Sequence, residues 1–195
     1  MKNPTPALFL DRDGVINREV EYLYRPEQVQ FIPGIFDLCR AAQMLGHKII
    51  VITNQSGIAR QFYSEDDFHA LMRWITEEFA REHVILAAYY YCPHHPQFGV
   101  GQYRKDCADR KPAPGMLFRA AREHRIDLGE SLLLGDRCSD ILAGAAAGVG
   151  KLVLLAGTEP SPCISSARYV VVPSIMDAIN LLSRNVSSSK IISNF

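Results

Sequence analysis

Apolar residues along the chain fall into two alternating patterns: short unbroken runs, and longer stretches with apolar positions three or four residues apart. A parallel sheet with crossover helices produces this alternation, because a strand buried on both faces reads as a continuous run while a covering helix shows only a stripe. The run Ala7-Leu8-Phe9-Leu10 predicts a central strand, and Lys48-Ile49-Ile50-Val51-Ile52 a second. Between them residues 34–45 predict a helix closed by Gly46, a residue suited to a left-handed cap. Ser64 with Asp67 three residues later has the form of a capping box with a shortened acidic arm, and Phe68, Leu71, Met72, Ile75 and Phe79 form the stripe of the helix it opens. Residues 85–91, 131–134 and 152–155 predict three further strands, with 169–172 as a sixth at the sheet edge. Residues 116–124, 139–147 and 175–182 predict the remaining helices. The expected fold is therefore α/β, a doubly wound, Rossmann-like parallel sheet.

Two stretches break the rhythm. Residues 92–114 form a long loop containing Pro and Gly, a length that usually marks function or disorder, and the Ser-rich end, 183–195, has no pattern and reads as a mobile tail. No internal repeat or linker divides the chain, so a single domain over 1–195 is expected, with its core over about 7–182. Lys plus Arg total 21 and Asp plus Glu 21. That balance removes the electrostatic case for a nucleic-acid or membrane-surface partner. Residues 1–6 lack the features of a signal peptide, no apolar run is long enough to span a bilayer, and the five cysteines are an odd, scattered set. A reducing, cytoplasmic setting is expected.

Ligands of an open parallel sheet bind beyond the carboxyl ends of its strands. After the first strand stands Asp11-Arg12-Asp13-Gly14, after the second Thr53-Asn54-Gln55-Ser56-Gly57, and after the fourth Gly135-Asp136-Arg137-Cys138-Ser139-Asp140. Taken singly, an Asp after a strand is commonly a turn former and a Ser or Thr a helix cap. Collected on one rim, carboxylates repel one another and persist cheaply only where a cation neutralises them; hard oxygen ligands on loops suit Mg²⁺. Beside such a metal one Asp can attack phosphorus without prior deprotonation, and a second, two residues on, can protonate the leaving oxygen and later deprotonate water. Arg110 and Lys111, after the long loop, would offset charge on the transferring group.

These segments, with Arg110-Lys111-Pro112 and Gly135-Asp136, resemble the haloacid dehalogenase superfamily of phosphatases. More closely, Cys92-Pro93-His94-His95-Pro96, Cys107, the stretch from Arg110 to Met116 and that from Thr53 to Arg60 resemble the D-glycero-D-manno-heptose 1,7-bisphosphate 7-phosphatases, and more distantly the histidinol-phosphate phosphatases. The resemblance implies Asp11 as a nucleophile forming an aspartyl-phosphate and Asp13 as general acid and base. It implies Mg²⁺ on the Asp11 carboxylate, the Asp13 main-chain carbonyl and Asp136, with Thr53 and Lys111 holding the phosphoryl oxygens. Arg12, Asn54, Gln55, Ser56, Arg110 and Arg137 would meet the sugar-phosphate substrate, as would Glu19, Val20, Glu21 and Tyr22 in the first loop. Arg137 stands where Lys is frequent, which keeps the charge and changes its geometry. Asp140 would support the metal shell or cap the following helix. Only 39 residues separate Asp13 from Thr53 and 57 separate Thr53 from Lys111, which leaves no room for an inserted cap domain. A capless monomer with an open site is expected.

Cys92 and His94 are one residue apart and Cys107 follows after twelve more, the spacing of chelating corners on a loop without its own core. The resemblance implies a structural Zn²⁺ here, with Asp109 in place of a fourth thiolate; His95 and Asp106 are alternative fourth ligands. The competing reading is a zinc-free loop with reduced Cys92 and Cys107. Cys39, Cys138 and Cys163 belong to no cluster and read as separate thiols, while His47, His69, His83 and His124 lie away from the strand ends and read as surface or helix-end residues. Trp74 and Tyr89-Tyr90-Tyr91 read as packing residues. Competing activities are a histidinol-phosphate or other small phosphomonoester phosphatase and, in another class, a sugar-phosphate-binding protein without catalysis.

Overall fold

The computed structural model describes residues 3–157, 163 and 167–182. Strand β1, Ala7–Leu10, is completely buried, as its unbroken apolar run requires. It pairs in parallel with β2, Lys48–Asn54, on one side and with β4, Leu132–Gly135, on the other. Strands β3 (Leu86–Cys92), β5 (Lys151–Leu155) and β6 (Val170–Val172) complete a six-stranded sheet in the order β3-β2-β1-β4-β5-β6. Side chains alternate between its faces: Leu8, Leu10, Ile49 and Val51 pack with α1 (Ile35–Met44), α3 (Glu65–Arg81) and α6 (Ile175–Leu182). Ala7, Phe9, Ile50 and Ile52 pack on the other face with α4 (Gly115–His124) and α5 (Cys138–Ala147). The doubly wound sheet follows directly from the alternation in the sequence.

The helix starts are fixed locally. The Ser64 hydroxyl accepts the Asp67 N–H at 3.1 Å while the Asp67 carboxylate accepts the Ser64 N–H at 2.9 Å, closing the reciprocal box. All five stripe residues of α3 are buried, and Gly46 ends α1 at φ +83°. Strand β2 runs two residues beyond the apolar pattern, because Thr53 and Asn54 still pair with Tyr91 and Cys92. A short helix, α2 (Ser56–Ala59), carries no stripe long enough to predict.

One expectation is corrected. Cys138 and Cys163 pair as a disulfide with Cα atoms 5.4 Å apart, and Cys39, Cys92 and Cys107 are free. The 24 residues between the pair include most of α5 and all of β5, and Cys163 lies back at the start of α5, a closure invisible in spacing alone. The tail at 183–195 lies outside the described residues. Among those described, no helix is long and apolar enough to cross a membrane.

Candidate active site

The strand order reverses at β1, and the crevice beyond the carboxyl ends of β1, β2 and β4 is where this topology receives ligands. Leu10 lies opposite Val51 and Leu134, and the Asp11 N–H continues the ladder onto the Leu134 carbonyl at 3.1 Å. Asp11, Thr53 and Asp136 are consequently brought to one edge from separate parts of the chain. Asp11 and Thr53 border an open cleft of about 450 Å³ that also receives Glu19, Tyr22, Arg110 and Arg137. Gly14 turns the chain there at φ +87°, and a Cβ on it would come within 2.1 Å of Asp136 Oδ2. No side chain other than glycine's leaves that carboxylate its place.

Lys111 is the buried cation of the site. Its Nζ lies 2.9 Å from Asp11 Oδ1 and 2.5 Å from Asp140 Oδ1 and donates to the Ile52 carbonyl at 3.1 Å. Asn54 fixes the Lys111 backbone: Asn54 Oδ1 accepts the Lys111 N–H and Asn54 Nδ2 donates to the Lys111 carbonyl, both at 3.0 Å. Asp140 also accepts the Arg137 N–H at 3.0 Å, so it caps α5 and anchors Lys111 together. Burial pushes the Asp11 carboxyl up to about 7, opposed by Lys111 and reinforced by Asp140, Asp136 and Asp13. Burial works against the Lys111 ammonium, but Asp11 and Asp140 outweigh it and hold its pKa above the ordinary value.

Asp13 is the opposite case. Burial alone would raise its pKa, yet the Arg12 charge together with hydrogen bonds from Arg12, Asn17 and Gln55 holds it below the usual carboxylate range. Arg12 is only 1 % exposed; its Nε and Nη2 donate to the two Asp13 oxygens at 3.1 and 2.8 Å, and Nη2 also reaches the Leu23 carbonyl. The Arg12 side chain therefore serves Asp13 from behind. Gln55 Nε2 bridges Asp13 Oδ2 at 3.1 Å and Thr53 Oγ1 at 2.8 Å, and Tyr63 donates to Gln55 Oε1 at 2.5 Å. Asn17 and Tyr63 escaped the sequence reading: neither follows a strand, and only the folded loops bring them to Asp13 and Gln55. All the substrate candidates line the cleft, Arg12, Asn54 and Gln55 among them, and two of them, Glu19 and Arg137, form an ion pair. Tyr22, at φ +57°, lays its ring against Phe62 with centroids 4.1 Å apart.

The carboxylates fit a divalent cation: Asp11, Asp136 and Asp140 are all buried and offer oxygen atoms within 4.8 Å of one another. A second group with metal-ligand character joins Cys92, His94 and Cys107 in the long loop. Asp109, His95 and Asp106 stand outside that group, and the Asp109 carboxylate is paired with Arg119 at 3.1 Å. His69, read as a surface or helix-end residue, is half-buried within α3, with its ring nitrogens 3.0 and 3.1 Å from the Tyr89 and Tyr91 hydroxyls of β3.

Comparison with known proteins agrees with this geometry. A family model described as "HAD-hyrolase-like" matches residues 108–178. D-glycero-alpha-D-manno-heptose-1,7-bisphosphate 7-phosphatase of Burkholderia mallei is 48 % identical over 171 residues, 88 % of this chain and 89 % of that protein. D-glycero-beta-D-manno-heptose-1,7-bisphosphate 7-phosphatase of Vibrio cholerae is 42 % identical over 180 residues, 92 % of this chain and 97 % of that one. Among solved structures, a D,D-heptose 1,7-bisphosphate phosphatase from B. bronchiseptica, complexed with magnesium and phosphate, superposes with a TM-score of 0.75 at 26 % identity, covering 91 % of this chain and 97 % of its own. The buried Asp11-Lys111-Asp140 arrangement, the parallel sheet that assembles it and these similarities place the chain in the heptose 1,7-bisphosphate 7-phosphatase family of the haloacid dehalogenase superfamily.

Proposed function

We propose that the chain is a Mg²⁺-dependent phosphohydrolase that removes the C7 phosphate from D-glycero-D-manno-heptose 1,7-bisphosphate through an aspartyl-phosphate. The carrying observation is Asp11, held 2.9 Å from Lys111 at the floor of an open cleft, in a chain 48 % identical to a protein named for that reaction. The Asp11 carboxylate attacks phosphorus while Thr53 and Lys111 hold the phosphoryl oxygens. The resting site keeps Asp13 ionised through Arg12; an arriving phosphate dianion is a like-charged neighbour that raises the Asp13 pKa and lets it carry a proton to the leaving oxygen. Once the alcohol leaves, Asp13 takes a proton from the water that opens the aspartyl-phosphate. Asp11, Asp136 and the Asp13 carbonyl would hold Mg²⁺, which when bound would offset negative charge on the phosphoryl oxygens.

Arg110, Arg137 and the segment from Glu19 to Tyr22 lie on the cleft and support contacts to the rest of the sugar phosphate. A bisphosphorylated sugar is too highly charged to cross a bilayer unaided, which supports a cytoplasmic enzyme in nucleotide-activated heptose synthesis. It would work as a monomer, without nucleic-acid or membrane partners. A structural Zn²⁺ on Cys92, His94 and Cys107 completes the reading.

The test is phosphate release, with Mg²⁺, from the α- and β-heptose 1,7-bisphosphates, histidinol phosphate and a generic phosphomonoester. A kcat/KM at least about 100-fold higher for a heptose bisphosphate, equivalent to about 2.7 kcal/mol of transition-state discrimination, is expected. A preference for histidinol phosphate, or equal rates on all four, refutes the proposed substrate.

A further inference from the structure

The loop of residues 92–114 carries two thiols and one imidazole turned toward each other. Cys92 is buried at the end of β3, and its Sγ lies 3.8 Å from His94 Nδ1. Two ligands on a tetrahedral Zn²⁺ at ordinary Zn–S and Zn–N lengths stand about 3.6 Å apart, so this edge is already close to metal-binding size. Cys107 closes the triangle, every ligand atom lying within 4.8 Å of the others. The triangle is tied to the substrate cleft through Arg110, whose Nη1 donates to the His94 carbonyl at 3.0 Å.

A tetrahedral structural site needs a fourth donor, and the side chain positioned to give one is committed elsewhere. Asp109 Oδ2 pairs with Arg119 Nη1 at 3.1 Å, and Asp109 Oδ1 lies over Gly115, where an added Cβ would meet it at 2.5 Å. Gly115 opens α4, so the carboxylate sits against a helix N-terminus, where negative charge is stabilised. Arg119 is itself held, with its guanidinium 4.9 Å from the Tyr90 ring centroid. His95 turns Nδ1 back onto the N–H groups of Gln97 and Phe98 at 3.2 and 3.1 Å. Among the described residues no other His, Cys, Asp or Glu joins the cluster.

We propose that this loop holds its metal with three protein ligands, Cys92, His94 and Cys107, and leaves the fourth coordination position to solvent or a small exogenous donor. The proposal rests on the zinc reading and extends it: the site is open, its metal exchanges readily, and small anions and nitrogen donors bind directly to that metal. Open fourth positions distinguish exchangeable or reactive zinc from closed structural zinc. The hard Asp109 carboxylate is retained by Arg119 and the helix terminus in place of joining two soft thiolates.

The full chain, purified without chelator and kept in excess Mg²⁺ to occupy the carboxylate site, is analysed for zinc and then exchanged with Co²⁺. Thiolate-to-cobalt absorption that disappears in Cys107→Ser locates the metal. Azide and imidazole are then titrated while the visible d–d bands are followed. The expected result is a saturable spectral change with each probe, and Asp109→Asn with the metal content, spectrum and azide response of the parent. A chain without zinc that also shows no thiolate-to-cobalt absorption overturns the zinc reading and the proposal with it. A chain that binds metal but ignores both probes, or loses metal on Asp109→Asn, overturns the open position alone.

Discussion

Replacing Lys111 by Met tests the electrostatics of the site at its centre. Lys111 is 4 % exposed, and its ammonium lies 2.9 Å from Asp11 and 2.5 Å from Asp140, both buried as well. Methionine fills the same volume but leaves two carboxylates without their cation, and breaking a buried ion pair by removing one partner costs about 3–5 kcal/mol. For a chain of this size that is a fall in Tm of about 10 °C. The cost depends on pH. Asp11, already raised to about 7 by burial, rises further once Lys111 no longer lowers it. A folded carboxyl with a raised pKa binds more protons than the unfolded one between the two values, so stability falls as pH climbs through that window. The part of the penalty that comes from Asp11 is thus smallest near pH 5, where Asp11 is neutral, and grows as pH climbs above 7. Metal-free samples are compared by thermal unfolding at both pH values, since a divalent cation would replace the missing charge. Adding Asp140→Asn to Lys111→Met should recover a large part of the lost stability and none of the turnover. A Tm at pH 8 within about 2 °C of the parent refutes the claim that Lys111 neutralises this cluster.

Asp11→Asn should fold normally and lose turnover by more than about 10³-fold, read by phosphate release and circular dichroism; residual activity near the parent removes Asp11 as nucleophile. The apparent Mg²⁺ affinity, followed by calorimetry, should weaken about tenfold for each pH unit below 7, because metal and proton compete for the raised Asp11 carboxyl. An affinity flat from pH 5 to 8 contradicts that placement of the metal. Gly14→Ala adds a Cβ 2.1 Å from Asp136 Oδ2 at φ +87°. It should lower Tm by several degrees, with about 1–2 kcal/mol from the backbone alone, and weaken Mg²⁺ binding at least about tenfold; unchanged Mg²⁺ binding would show that Asp136 is not crowded there.

The parts of this site legible in the sequence are those fixed by the backbone. Strand β1 ends with its apolar run and β4 one residue beyond its own, so periodicity places Asp11 after Leu10 and Asp136 after Gly135, and strand adjacency puts them side by side. Side-chain direction was not legible, because it depends on which partner lies within reach after folding. Arg12, beside two aspartates in the sequence, reads as a substrate contact; it borders the cleft, and its guanidinium is also bound by Asp13 and the Leu23 carbonyl, partners that spacing does not show. Asp140 reads as a metal neighbour or cap and turns out also to anchor Lys111, across a separation of 29 residues that no helix or turn rule connects. Asp109 shows the same limit where ligand spacing is strongest: residue type and register both favour a metal ligand, and Arg119 with the α4 terminus takes the carboxylate instead. Each of these is a charged side chain with a choice of opposite charges. For such residues spacing defines which partners are possible, and the low-dielectric interior, where an uncompensated charge is costly, decides among them.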